Sequence, residues 1–148
     1  MNFVSADLSR YAAYPDVTSF QVDLRRYHWP LKPIKRIQGR NRYTLADAVT
    51  AHCISILRHM NIPSASIKTL LDRIDQAAFR AALDEFEAQQ CDQIILTIPC
   101  ARYFEPDDAT DLHTVHTSVK SALETLAELD AIYINLSEIS QAIRDGEL

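Results

Sequence analysis

The chain has 148 residues, of which 47% are hydrophobic, and a formal net charge of −5. This length suits a single core or two small lobes that share a linker. It contains no run of about 18 apolar residues and no secretory signal at its start, so we expect a cytoplasmic protein with no membrane contact. Its three cysteines form no Cys-x-x-Cys pair, which favours reduced, mostly buried thiols over a disulfide framework or a zinc knuckle.

Charge is distributed unevenly along the chain. Residues 1–80 hold 12 of the 15 Lys and Arg but only 6 of the 20 Asp and Glu. No acid lies between Asp23 and Asp47, where the basic residues are Arg25, Arg26, Lys32, Lys35, Arg36, Arg40 and Arg42. Screening limits each charge to a range of about 8 Å, so the local patch matters more than the total. Such a patch suggests a polyanionic partner.

The first well-marked element is an amphipathic helix over residues 18–28, preceded by a weaker helix candidate at Ala6 to Ala13. Apolar residues recur at helical spacing on one side of it, at Val17, Phe20, Leu24 and Tyr27. The other side carries Ser19, Val22, Arg25 and Arg26. Trp29-Pro30 and Lys32-Pro33 end the helix, because proline removes a donor and biases the preceding residue toward extended geometry. Residues 31–43 alternate loosely around Gly39, which predicts a short β-hairpin, or wing.

A further helix is predicted to begin at Thr44, whose hydroxyl can cap the backbone amide of Asp47. Its predicted buried stripe consists of Leu45, Val49, Cys53, Ile56 and Met60. Asn61-Ile-Pro63 ends it, and two more helices are predicted, one from Ser64 or Ser66 through Ile74 and one over residues 76–89.

The C-terminal half predicts a strand, a helix and a second strand. The strands are expected over residues 93–98 and 131–136, and a long helix from Pro106 should carry an apolar stripe of Leu112, Val115, Val119, Leu123, Leu126 and Leu129. This order favours two parallel strands covered by the crossover helix. Because two strands alone are marginal, we expect the other half or a second subunit to complete the sheet. Residues from Ser137 onward predict a short terminal helix.

The stretch from Val17 to Ile74 resembles the MerR-like winged helix-turn-helix family. The clearest parts are residues 42–47, Arg-Tyr-Thr-Leu-Ala-Asp, and residues 57–70. The resemblance implies a recognition helix followed by a wing, and binding of operator DNA as a dimer. The long antiparallel coiled coil of that family is replaced here by the strand-helix-strand lobe, so effector sensing and promoter untwisting are not carried over.

This resemblance gives the predicted site residues their roles. Arg25 and Arg26 can offer paired donors to guanine edges and Val22 can contact a thymine methyl group, if that face enters the major groove. The other predicted DNA-binding residues are Ser19 on the helix and Lys32, Lys35, Arg36, Arg40 and Arg42. These lysines and arginines would mostly touch phosphates. A solvated basic face is the alternative interpretation. Dimerisation is assigned to the apolar stripe of Leu112, Val115, Val119, Leu123 and Leu126.

Catalysis and cofactor binding find no support in the sequence. Glycine is limited to Gly39 and Gly146, so no phosphate-cradling loop, nucleophile elbow or dinucleotide fingerprint is present. A metal site can be imagined at His113, His116, Asp108 and Asp111. Histidines beside acids on a helix are commonly plain surface residues, so we predict neither a metal nor a cofactor and do not expect an enzyme.

The sequence therefore predicts an α+β protein. Its expected parts are a winged helix-turn-helix domain in residues 1–75, a linking helix in 76–90 and an α/β dimerisation or partner-binding lobe in 91–148. The preferred function is a homodimeric transcriptional regulator that binds double-stranded DNA. Two alternatives stay open: an excisionase-like architectural DNA-binding factor, and an antirepressor or antiactivator whose acidic C-terminal half engages a protein partner.

Overall fold

The computed structural model describes residues 2–99, 114–128 and 131–148. Across these residues the chain has an α+β fold with seven helices and five short strands. The helices are α1 (Ser5–Tyr11), α2 (Val17–Tyr27), α3 (Leu45–His59), α4 (Ser64–Asp72), α5 (Gln76–Glu87), α6 (Val119–Glu128) and α7 (Leu136–Asp145). The strands are β1 (Lys35–Ile37), β2 (Arg40–Arg42), β3 (Ile95–Pro99), β4 (Thr114–His116) and β5 (Ala131–Asn135).

The chain divides into two compact units. The first contains Met1–Leu71 and Ile139–Leu148, and the second contains Asp72–Glu138. Helix α5, predicted as a linker, thus falls within the second unit, while the last ten residues belong to the first.

Helix α3 is the centre of the first unit. Thr44 and Asp47 cap its start reciprocally: the Asp47 amide donates to Thr44 Oγ1 over 3.2 Å, and the Thr44 amide donates to Asp47 Oδ2 over 2.9 Å. The predicted cap is therefore confirmed. Nearly every side chain in the first three turns is buried, and α1 packs against α3. Met60, predicted to be buried, is exposed because it lies after the last residue of the helix.

Strands β1 and β2 form the predicted hairpin. Lys35 pairs with Arg42 and Ile37 pairs with Arg40 in an antiparallel register. Gln38 and Gly39 between them have φ values of 48° and 77°, the two positive angles of the tight turn whose twist matches that of the strands. A short bridge joins Phe3 to Tyr43, so the N-terminal segment lies beside the end of the wing.

The sheet of the second unit differs from the predicted one. Its order is β4-β3-β5, and β3 is antiparallel to both neighbours. The prediction that the strands at 93–98 and 131–136 are parallel is therefore wrong. The physical reason is an unpredicted strand, β4, which reverses the chain before α6. The chain crosses from β4 through α6 to β5, and these two strands run parallel to each other with β3 between them. The third strand of the sheet, β3, therefore comes from the second compact unit itself.

The predicted long helix is also corrected. Helix α6 begins only at Val119, whereas Val115 lies on strand β4. Val115 therefore does not share a helical stripe with the apolar residues of α6. Leu112 and Leu129 lie outside the described residues. The terminal helix predicted from Ser137 is present as α7, with Ile139 and Ile143 buried.

Candidate nucleic-acid interface

Helix α2 begins at a side-chain cap and presents a basic outer face. Asp16 accepts hydrogen bonds from the Ser19 amide over 2.7 Å and from the Ser19 hydroxyl over 2.8 Å, and these bonds lower the pKa of Asp16. Phe20 is fully buried on the inner side, whereas Val22 is 47% exposed on the outer side. Arg25 and Arg26 are also exposed. The hydroxyl of Ser19, predicted as a DNA contact, thus donates its hydrogen bond to the helix cap.

The inner side of α2 is held by a polar and aromatic cluster. Tyr14 donates a hydrogen bond from its hydroxyl to Asp23 Oδ2 over 2.7 Å. Asp23, the one acidic residue of α2, is thus hydrogen-bonded within this cluster. The Arg58 guanidinium lies 4.2 Å from the centre of the Tyr14 ring and donates to the Ala12 carbonyl oxygen over 3.2 Å. Trp29, only 4% exposed, packs against Tyr14 at 6.1 Å. These contacts fix the orientation of α2 relative to α3.

The wing concentrates cations on a rigid hairpin. Arg36 Nε donates to the Gly39 carbonyl oxygen over 3.0 Å, which orients the guanidinium and leaves its two terminal nitrogens available. Lys35 and Arg42 are directly opposite each other on adjacent strands, and like charges in such a pair destabilise a sheet. An anion bound between the two cations would relieve that repulsion. Arg42 is half-buried, and its Nε has no hydrogen-bond partner within the described residues.

A cleft of about 590 Å³ lies between the basic face of α2, the wing and the start of α1. It brings together residues that are distant in sequence: its lining consists of Val4, Ser5, Ala6, Gln21, Arg25, Arg36, Gly39, Arg40 and Asn41. Three of these are arginines and none is an acid. The cleft is therefore a concave, positively charged surface with amide and hydroxyl groups between the cations.

The structure does not gather all the predicted basic residues into this cleft. Arg25, Arg36 and Arg40 line it, whereas Arg26, Lys32 and Lys35 are exposed elsewhere on α2, the connecting segment and the wing. Sequence reasoning missed several participants: the cleft residues Ser5, Gln21 and Asn41, and Arg58, which anchors the cluster behind α2. Gln21 could have been found from its helical spacing of four residues from Arg25, but the others depend on contacts between distant segments.

The predicted dimerisation residues fall on different elements. Val119 and Leu123 are 41% and 56% exposed on α6, and Leu126 lies on the same helix. Val115 is half-buried on β4. Tyr133, on strand β5, is also exposed. The described part of the second unit thus presents several large apolar side chains to solvent, although not as one long helical stripe.

Of the four residues considered for a metal site, His116 lies within the described residues and has hydrogen-bond partners there. His116 is buried on β4, with Nε2 3.0 Å from Thr97 Oγ1 and Nδ1 2.8 Å from Ser121 Oγ, and burial lowers its pKa. Asp108, Asp111 and His113 lie outside the described residues. No group of three or more potential metal ligands occurs within residues 2–99, 114–128 and 131–148.

Neither a scan against models of known protein families nor a search of curated protein sequences found a match to this chain. No helix in the described part of the chain is both long enough and apolar enough to cross a bilayer. The function is therefore inferred from the geometry and the charge of the first unit.

Proposed function

We propose that this chain is a transcriptional regulator that binds double-stranded DNA through α2 and the wing. The cleft carries this proposal, because it combines a helix face, a hairpin and three arginines without an acid. An α-helix of ordinary diameter fits the major groove of B-DNA, which is about 12 Å wide. Cations along the wing then meet phosphate oxygens, which supply most of the sequence-independent affinity.

Burial and pairing within the first unit also support a binding role for this surface. The inner side of α2 is held in place by the contact of Phe20 with Tyr14, which also packs against Trp29. Arg25 and Arg26 make no hydrogen bond or ion pair with any residue that the structure describes. Two unpaired arginines on one helix suit a polyanion better than they suit an isolated fold.

A salt series tests this function. Fluorescence anisotropy would compare binding to the DNA upstream of the protein's own gene and to a scrambled duplex, for the parent and for Arg25→Ala/Arg36→Ala. Each phosphate contact adds about −0.9 to the slope of log affinity against log salt. The variant should therefore show a slope shallower by about 2, so that a fourfold rise in salt costs it about tenfold less affinity than it costs the parent.

The matched control is Arg80→Ala/Lys120→Ala, which removes the same charge from exposed positions on α5 and α6. We expect this control to keep the slope of the parent. If the parent binds neither duplex at low salt, the proposal fails and an antirepressor or antiactivator role becomes the better hypothesis. Strong bending of the DNA in the complex would favour the architectural factor.

We also propose that the regulator acts as a homodimer through its second unit. The exposed Val119 and Leu123, four residues apart on one face of α6, support this, because such side chains gain stability when covered. A two-fold dimer places two recognition helices about 34 Å apart and predicts paired half-sites. Light scattering at micromolar concentration should give twice the chain mass for the parent. Leu123→Glu should shift this mass toward the monomer, and Lys120→Glu on the same helix should not.

A further inference from the structure

The two adjacent arginines of α2 occupy different surroundings. Arg25 lines the cleft together with Gln21, one helical turn before it, and faces the wing residues Arg36 and Arg40. Arg26 is exposed but is not part of that lining. Successive residues of an α-helix point about 100° apart, so the two side chains leave the helix on different flanks.

We propose that Arg25 grips a phosphate strand in the cleft while Arg26 reads a base edge. This division rests on the proposed DNA-binding function and assigns separate tasks within it. The sequence assigned guanine recognition to both arginines, and the cleft separates them. Arg25 thereby joins Arg36 and Arg40 in a phosphate clamp, defined as these three cleft arginines.

The width of the major groove supports the role of the phosphate clamp. A helix of about 10–12 Å diameter fills a groove of about 12 Å, so the groove has no room for the wing as well. The wing must therefore lie beyond the wall of the groove, and that wall is a sugar-phosphate strand. The space between α2 and the wing is the cleft, whose three guanidinium groups and lack of acid suit a phosphate.

The exposed ridge of α2 supports the role of Arg26. Thr18, Val22 and Arg26 are spaced four residues apart and are all exposed, so they form one continuous row on the surface of α2. Because Arg26 does not line the cleft, this row can face the floor of the groove while Arg25 lies beside the neighbouring strand. A guanidinium there can donate two hydrogen bonds to a guanine, and Val22 can contact a thymine methyl group.

The test begins with selection of a preferred duplex from a random pool by the parent protein. Affinities for that duplex and for a scrambled one then give a specificity ratio for the parent, Arg25→Ala and Arg26→Ala. Arg25→Ala should lower both affinities by the same factor, keep the ratio and make the salt slope shallower by about 1. Arg26→Ala should lower the ratio by about 5- to 150-fold at the position it reads.

A conservative variant separates the phosphate role from general damage. Arg25→Lys keeps a point charge, which is sufficient for a phosphate, so it should restore the parent slope and most of the affinity. Circular dichroism should show the same helix content for every variant, because both positions are exposed.

The outcomes distinguish this division from the function on which it rests. If the parent binds no duplex, the DNA-binding proposal itself fails. If the parent binds DNA but Arg25→Ala lowers the ratio, or Arg26→Ala leaves the ratio unchanged, the division of roles is overturned while DNA binding stands. A parent that binds every duplex equally also overturns the division, because no base is then read.

Discussion

Replacing Tyr14 by Phe tests whether the cluster behind α2 holds that helix in place. The substitution removes only the hydroxyl that donates to Asp23 over 2.7 Å and keeps the ring contacts with Phe20 and Arg58. A hydrogen bond to a charged group contributes about 1.5–3 kcal/mol when well buried. Both residues here are half-exposed, so we expect a loss of about 1 kcal/mol in the free energy of unfolding. For a chain of this length, that loss lowers the melting temperature by about 3 °C.

The assay uses the only tryptophan in the chain. Trp29 packs against Tyr14, so its fluorescence during heating reports the unfolding of this part of the first unit. Tyr133→Phe is the matched control, because Tyr133 is exposed on β5 in the second unit. We expect the control to leave the Trp29 transition unchanged.

The effect of Tyr14→Phe should also depend on pH. Burial, followed by the hydrogen bond to Asp23, raises the pKa of Tyr14 above its ordinary value. The unfolded chain therefore releases the phenol proton from about pH 10 while the folded chain retains it, so this part of the stability is complete below about pH 10 and is lost as the pH rises further. The difference between parent and variant should shrink above pH 10. Equal melting temperatures at pH 7, or a constant difference up to pH 11.5, would refute the reasoning.

Three further predictions concern the wing, the start of α3 and the thiols. Gly39→Ala places a side chain at φ 77° and should weaken DNA binding several-fold by distorting the wing, whereas Gly146→Ala, at φ 72°, should leave DNA affinity unchanged; anisotropy measures both. Thr44→Val removes the helix cap and should cost about 1–2 kcal/mol in urea unfolding, while Thr44→Ser should cost much less. Burial raises the pKa of Cys53 to about 12, whereas Cys91 is only half-buried, so mass spectrometry after iodoacetamide treatment at pH 8 should find Cys91 alkylated before Cys53; faster modification of Cys53 would contradict its burial.

Local patterns were sufficient to predict most of the first unit. Helix α2 follows from the spacing of Phe20 and Leu24, and the start of α3 follows from the Thr44 cap, because both depend on residues within one or two helical turns. The wing also follows from local residues, since Gly39 supplies one of the two positive φ angles that the turn requires.

The remaining features depend on pairing between distant segments. Strand β4 has only three residues, Thr114–His116, and is too short for a periodic pattern to mark it. Without β4, the antiparallel direction of β3 and β5 could not be predicted. The cleft likewise depends on the bridge between Phe3 and Tyr43, which brings the start of the chain beside the wing. A single serine such as Ser5 belongs to no sequence pattern that would predict its position in the cleft.

The discontinuous first unit has a consequence for synthesis of the protein on the ribosome. Residues 139–148 belong to the same compact unit as residues 1–71, and Ile139 and Ile143 are buried. The second unit, by contrast, is contiguous in sequence from residue 72 to residue 138. The first unit stays incomplete until the ribosome has translated residue 143 and released it from the exit tunnel. A product truncated near residue 75 therefore lacks part of its core although it contains every residue of the cleft.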